Sequence, residues 1–181
     1  MPTYISILRG INVSGKNLIK MDSLKKLFLR INFENIQTYL QSGNVIFNTN
    51  QEDIKVLETS ISNEIKTEFG YEVPVIVISI DELSDIISKN PFAKIMDNSF
   101  LHVTFLAYEP ENFEIALLTE KLEADEALIQ YRRTIFLYLP NGYGKTKLNN
   151  NFIENKLKIT ATTRNWKTTN EILKIAKEKS I

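Results

Sequence analysis

Apolar residues either alternate with polar ones or recur at helical spacing along most of the chain, and the two periods mark out the elements in turn. Tyr4-Ile5-Ser6-Ile7-Leu8 has the density of a core strand and breaks into Arg9-Gly10-Ile11-Asn12-Val13-Ser14-Gly15-Lys16-Asn17, a basic loop with two glycines. Leu24, Leu27, Phe28 and Ile31 fall at i, i+3, i+4 and i+7, which predicts an amphipathic helix over 21–31 that Asn32 can end in the left-handed conformation. Ile36 to Gln41 and Val45 to Phe47 read as short strands around Ser42-Gly43-Asn44, whose Gly-Asn pair suits a two-residue hairpin turn. Ile54, Leu57, Ile61, Ile65 and Phe69 share one face of a helix over 51–69, with Asn50 as N-cap and Gly70 as stop. Val75 to Ile78 is a buried strand.

Strand, helix, strand, strand, helix, strand is the order of a ferredoxin-like unit, a four-stranded antiparallel sheet with two helices on one face. It closes near Ile80. A short helix follows, started by a capping box of Ser79 with Glu82, turned inward at Leu83, Ile86 and Ile87, and stopped at Asn90-Pro91. The second half repeats the order of elements without matching residues: strand 101–107, helix from Pro110 to about Leu122, strands 127–131 and 134–139, helix near 150–157, and a brief strand at 158–161. Thr162 to Trp166 then reads as a loop before a closing helix capped by Thr168 with Glu171. The expected fold class is α+β: two ferredoxin-like βαββαβ units with antiparallel sheets, over 1–80 and 101–181, a helix and connecting segment over 81–100, and a C-terminal helix in the second unit.

Composition narrows the setting. The 181 residues include no cysteine, which excludes disulfides, thiolate metal sites and cysteine nucleophiles. The N-terminal residues lack the basic and apolar pattern of an export signal, and no apolar run approaches the roughly 20 residues of a membrane span. A cytoplasmic protein without membrane association is expected. With 22 basic and 22 acidic residues the formal charge is zero, which disfavours non-specific wrapping of nucleic acid. The distribution is uneven: residues 1–20 carry Arg9, Lys16 and Lys20 with no acid, and residues 141–181 carry a local excess of six positive charges.

Several segments could carry chemistry. Gly10 to Asn17 matches a P-loop except at its last position, where Asn17 cannot supply the hydroxyl that binds Mg²⁺, and Leu18-Ile19-Lys20 separate it from the helix. A simpler anion-binding loop remains, with glycines that expose backbone N–H groups beside Arg9 and Lys16. Gly142-Tyr143-Gly144-Lys145-Thr146 is a second glycine–lysine loop that a plain surface turn explains. Gln41, Ser42 and Asn44 could aim amides at a ligand or serve the hairpin's own backbone. Arg164-Asn165-Trp166 joins a fork-shaped cation, an amide and the only tryptophan; it suits an anion with a planar moiety, or a core-plugging indole beside a structural arginine. His102, alone and without cysteines or a spaced acidic cluster, reads as a sheet residue, so no metal is expected. No serine lies in a nucleophile elbow.

Three of these segments carry a resemblance. Leu8-Arg9-Gly10-Ile11-Asn12-Val13 with Gly15-Lys16-Asn17, Tyr39-Leu40-Gln41-Ser42-Gly43-Asn44-Val45-Ile46-Phe47, and Ala161-Thr162-Thr163-Arg164-Asn165-Trp166 resemble the motifs of the bacterial family called domain of unknown function 1697. The resemblance spans essentially the whole chain, implies a pair of ferredoxin-like units, and implies no activity or cofactor. Asn32 stands where a glycine is expected in that family. Ligand-binding roles for Arg9, Asn12, Lys16, Gln41, Asn44, Arg164, Asn165 and Trp166 rest on their place in the motifs.

The function expected is the binding of a small anionic ligand, a nucleotide or phosphorylated metabolite, in an inter-domain cleft. Whether a reaction accompanies it, and in which oligomeric state, is left open. The alternatives are an RNA-binding module of ferredoxin-like architecture, weakened by Asn44 and Ile46 where stacking aromatics belong, and a protein-interaction module. Strands one and three are expected to run parallel, which would set the loop after Leu8 and the hairpin before Val45 at opposite ends of a sheet about 17–20 Å long. On that expectation the Arg9 loop pairs with the Arg164 segment rather than with Asn44.

Overall fold

Thr3–Leu8 form β1, an inner strand of a four-stranded sheet, in a computed structural model that describes residues 1–180 apart from the side chains of Asn112 and Phe113. The chain continues through α1 (Met21–Arg30), β2 (Glu34–Tyr39), β3 (Asn44–Asn48), α2 (Ile54–Phe69), β4 (Val75–Ser79) and α3 (Ile80–Ser88). The order across the sheet is β2-β3-β1-β4, and every neighbouring pair is antiparallel. Tyr4, Leu8, Val45, Phe47, Val75 and Val77 pack on one face against Leu24, Leu27 and Phe28 of α1 and Leu57, Ile61 and Ile65 of α2. This is the two-layer solution for amphipathic helices on a sheet. Ile5, Ile7, Ile46, Ile76 and Ile78, which strand alternation turns to the other face, are at most 1% exposed.

After two short 3-10 turns the pattern recurs in β5 (Leu101–Leu106), α4 (Asn112–Thr119), β6 (Ala127–Tyr131), β7 (Thr134–Tyr138), α5 (Asn150–Leu157), β8 (Ala161–Asn165) and α6 (Trp166–Lys179). This second antiparallel sheet runs β6-β7-β5-β8, and Leu106, Leu118, Ile135, Leu137, Ile153, Leu157 and Ala161 make its core. The compact units are residues 1–84 with those from Glu171 onward, and residues 85–170. The closing helix, expected wholly within the second unit, is therefore divided between the two.

Four of the boundaries that differ from expectation do so for a clear local reason. The N-cap of α2 is Asp53, whose carboxylate accepts from Lys55 and Val56 N–H at 2.9 and 3.2 Å, rather than Asn50. The β2–β3 connection has four residues, 40–43, instead of two, because Asn44 enters the ladder opposite Ile7 and Tyr39. The last strand is Ala161–Asn165 rather than 158–161, since Lys158 is the left-handed C-cap of α5 and cannot begin a strand. Thr162 to Asn165 are thus strand and not loop. Asn165 caps α6, accepting from Thr168 N–H at 2.8 Å, so the helix starts ahead of the expected Thr168–Glu171 box.

Outer strands present unpaired main-chain groups that invite another strand, and three of the four are visibly blunted. In β2 the register shifts between Glu34 and Gln37, with Asn35 at φ 51°. On β4 the Val77 N–H is taken by the buried Glu58 carboxylate at 3.1 Å, and on β8 the Ala161 N–H is taken by Glu154 at 3.0 Å.

Candidate functional site

The two units tie the ends of their sheets alike. Leu8 N–H donates to Gly43 O and Arg9 N–H to Pro74 O; in the second unit Leu106 N–H donates to Arg133 O and Ala107 N–H to Thr160 O. On this shared frame the connections differ. Between first strand and first helix the second unit uses residues 107–111, while the first spends residues 9–20; across the hairpin the second uses 132–133 and the first 40–43. Both enlargements fall at the same end of the first sheet. Extra chain on a repeated scaffold is where function is most economically carried.

Antiparallel pairing of β1 with β3 is what brings these segments together, and it corrects the expectation that they lie at opposite ends. Asn12 is the fastener. Its Nδ2 donates to Gln41 O at 2.8 Å and to Ile19 O at 2.9 Å, while its Oδ1 accepts from Ile19 N–H at 2.8 Å. Asn17 Nδ2 donates to Gly10 O at 3.0 Å, and Asn12 N–H to Asn17 O at 3.2 Å. Asn12, Ser14 and Asn17 all hold positive φ, as do Gly10 and Gly15, so the loop curls on itself and returns. Gly43 locks it from the other side: it is buried at φ 78°, and a Cβ there would come within 2.7 Å of Ile11 Cδ1 and 2.8 Å of Leu8 Cβ. Asn44, fully buried, closes the turn by donating to Tyr39 O at 2.8 Å and to Ser42 Oγ at 3.1 Å.

The expected site residues thus separate by what their side chains do. Asn12 and Asn44 are committed to the clasp. Arg9 is half-buried at its base, and Lys16 and Gln41 are exposed on it. Sequence reasoning overlooked Ile19 as the loop's return point; its only signal was an apolar residue just before the helix. Exposed Val13, Leu18 and Leu40 decorate the same clasp.

Arg164, Asn165 and Trp166 belong to the second unit. Arg164 is buried in β8 opposite Val103, and its Nη1 donates to Thr162 Oγ1 and Thr163 O, each at 2.9 Å. Trp166 is also buried, in the first turn of α6. The second glycine–lysine loop is held by tight turns, Gly142 N–H to Leu139 O and Lys145 N–H to Gly142 O, while Tyr143 stacks on His102 at 5.3 Å. Burial pushes the His102 imidazole pKa down. Among the described residues no group of three His, Cys, Asp or Glu could hold a metal ion, and no helix is long and apolar enough to cross a membrane. An RNA-recognition sheet needs exposed aromatics on its central strands; every residue of β1 and β3 is buried.

The clasp is built from two of the motifs that resemble domain of unknown function 1697, and the profile of the family described as "Protein of unknown function (DUF1697)" matches residues 1–136. The chain belongs to the DUF1697 family. The solved structure of the conserved bacterial protein SP0830 from Streptococcus pneumoniae is similar in fold: it is 21% identical, with a TM-score of 0.77 over 97% of this chain and 98% of that one. No curated protein matches.

Two outcomes test this DUF1697 geometry. Gly43→Ala combines a left-handed backbone with a steric conflict and lowers unfolding free energy by about 2–4 kcal/mol in urea denaturation; a change within error would show that the clasp tolerates a methyl. Arg164→Ala removes buried charge-assisted hydrogen bonds and costs about 2 kcal/mol by the same measurement. An unchanged stability would contradict a structural role for Arg164.

Proposed function

We propose that the chain binds a small anionic ligand, a nucleotide or phosphorylated metabolite, at the loop–turn clasp of its first unit. The observation that carries this reading is the enlargement of both connections at one end of a scaffold that the second unit uses without them. The polar residues that could have been spent on a ligand, Asn12, Asn17 and Asn44, instead hold the frame rigid. Cationic Arg9 and Lys16 and the amide of Gln41 ride on that frame, and rigidity lowers the ordering cost of binding. Each sheet with its helices is best described as a ferredoxin-like unit, a reading supported by the strand orders β2-β3-β1-β4 and β6-β7-β5-β8. A cytoplasmic location accords with the absence of cysteine.

A protein-interaction module is the second reading, favoured by Val13, Leu18 and Leu40, which are 56%, 62% and 53% exposed on the same clasp. Thermal shift across nucleotides and sugar phosphates separates the two. At ligand concentrations about 100-fold above Kd the first reading expects stabilisation of about 2.7 kcal/mol. The double change of exposed Lys16→Ala and Gln41→Ala removes that shift and leaves the ligand-free melting temperature in place. If no anion raises the melting temperature of the unaltered protein, the anion reading fails and the aliphatic surface becomes the site to pursue.

A further inference from the structure

The loop after β1 carries a miniature hairpin that is exposed to solvent from Val13 to Lys16. Ser14 and Gly15, at φ 50° and 74°, are the central residues of a tight turn closed by Lys16 N–H on Val13 O at 3.0 Å, and Val13 pairs with Lys16 across it. Side chains along paired segments alternate between faces. Asn12 and Asn17 turn inward, where their amides bond the carbonyls of Ile19, Gln41 and Gly10, so Val13 and Lys16 turn outward together. Val13, Leu18 on the returning chain and Leu40 across the clasp are each more than half exposed. Leu40 also holds φ 60°, a left-handed backbone that disfavours leucine, and no burial offsets that cost.

Cations stand among these aliphatic side chains. Lys16 and Lys20 are exposed, and neither ammonium has a hydrogen-bond or ion-pair partner among the described residues. Aliphatic tips interleaved with solvent-facing ammoniums match an interface that is anionic at its surface and apolar just beneath. A bilayer of anionic lipid has both layers: its headgroups meet the ammoniums, and lysine stems can lie beside the inserted aliphatics while their charged ends stay in water. It also admits side chains from an exposed hairpin without a matching cavity, whereas a protein partner would need a pocket shaped for each tip.

We propose that the anion met by the clasp is the phosphate headgroup of an anionic lipid, so that the first unit docks on a negatively charged bilayer with Val13, Leu18 and Leu40 entering its apolar boundary and Lys16 and Lys20 on its headgroups. This rests on the reading of the clasp as an anion site and names the anion. The expectation of no membrane association came from the lack of an apolar span, which docking at the surface does not need.

Sedimentation with vesicles tests it. The unaltered chain sediments with vesicles of phosphatidylglycerol and phosphatidylcholine in equal parts, stays in the supernatant with phosphatidylcholine alone, and is released as salt is raised. Leu18→Ser combined with Leu40→Asn weakens that binding by about tenfold or more. The melting temperature stays in place, because both leucines are exposed and asparagine suits the left-handed backbone at position 40. No binding to the anionic vesicles overturns the proposal and leaves the aliphatic surface to a protein partner; binding undiminished in the leucine variant overturns it as well. Thermal shift with soluble phosphates judges the anion reading separately. A shift without vesicle binding sinks the lipid assignment and keeps that reading, whereas vesicle binding without a shift supports the lipid and removes the small metabolite.

Discussion

Everything at the candidate site depends on how closely β3 can enter beside the end of β1. Gly43 hands its carbonyl to Leu8 while lying so near Leu8 and Ile11 that no side chain fits. That approach brings the β2–β3 turn beneath the loop after β1, and Asn12 can then reach the Gln41 carbonyl 29 positions away. Without the approach the loop would have to satisfy its polar backbone in water. With it, three side-chain amides and several main-chain groups are paired within the clasp.

The two units show what such a clasp adds. Their sheets have matching strand orders and matching end ties, and both carry an N-capped helix beyond the fourth strand, at Ser79 and at Asn165. They diverge in their connections and in how their edges are treated. The first unit elaborates the loop after its first strand and blocks both outer strands. The second keeps that end minimal and leaves β6 straight. One scaffold thus supports two different surfaces, one rich in cations and loop backbone, the other an open strand edge.

Much of the fold was legible in the chain because its helices and strands have clean periods. Leu24, Leu27 and Phe28, and Leu57, Ile61 and Ile65, are buried as their spacing predicts. The last strand was misplaced because Thr162, Thr163 and Arg164 are polar, and only their pairing with Phe105, Thr104 and Val103 makes them strand. The same polarity made Arg164 look like a ligand-binding residue in a loop, although it is buried in a strand with its Nη1 bonded to Thr162 Oγ1 and Thr163 O. The functions of Asn12 and Asn44 could not be read at all. An asparagine that closes a turn and one that grips a ligand have the same local sequence; the difference lies in which distant carbonyl arrives beside it. Chain direction misled as well, since the expectation of parallel first and third strands separated motifs that antiparallel pairing unites.

The central claim is that residues 9–20 form a preformed frame rather than an open surface loop. Amide hydrogen exchange at Ile19 tests it most directly, because that N–H donates to the Asn12 side-chain Oδ1 at 2.8 Å and belongs to no helix or strand. A preformed frame predicts that Ile19 exchanges far more slowly than the exposed loop amides of Ser14 and Gly15, approaching the protection of β1. Exchange at Ile19 as fast as at Ser14 and Gly15 would contradict it.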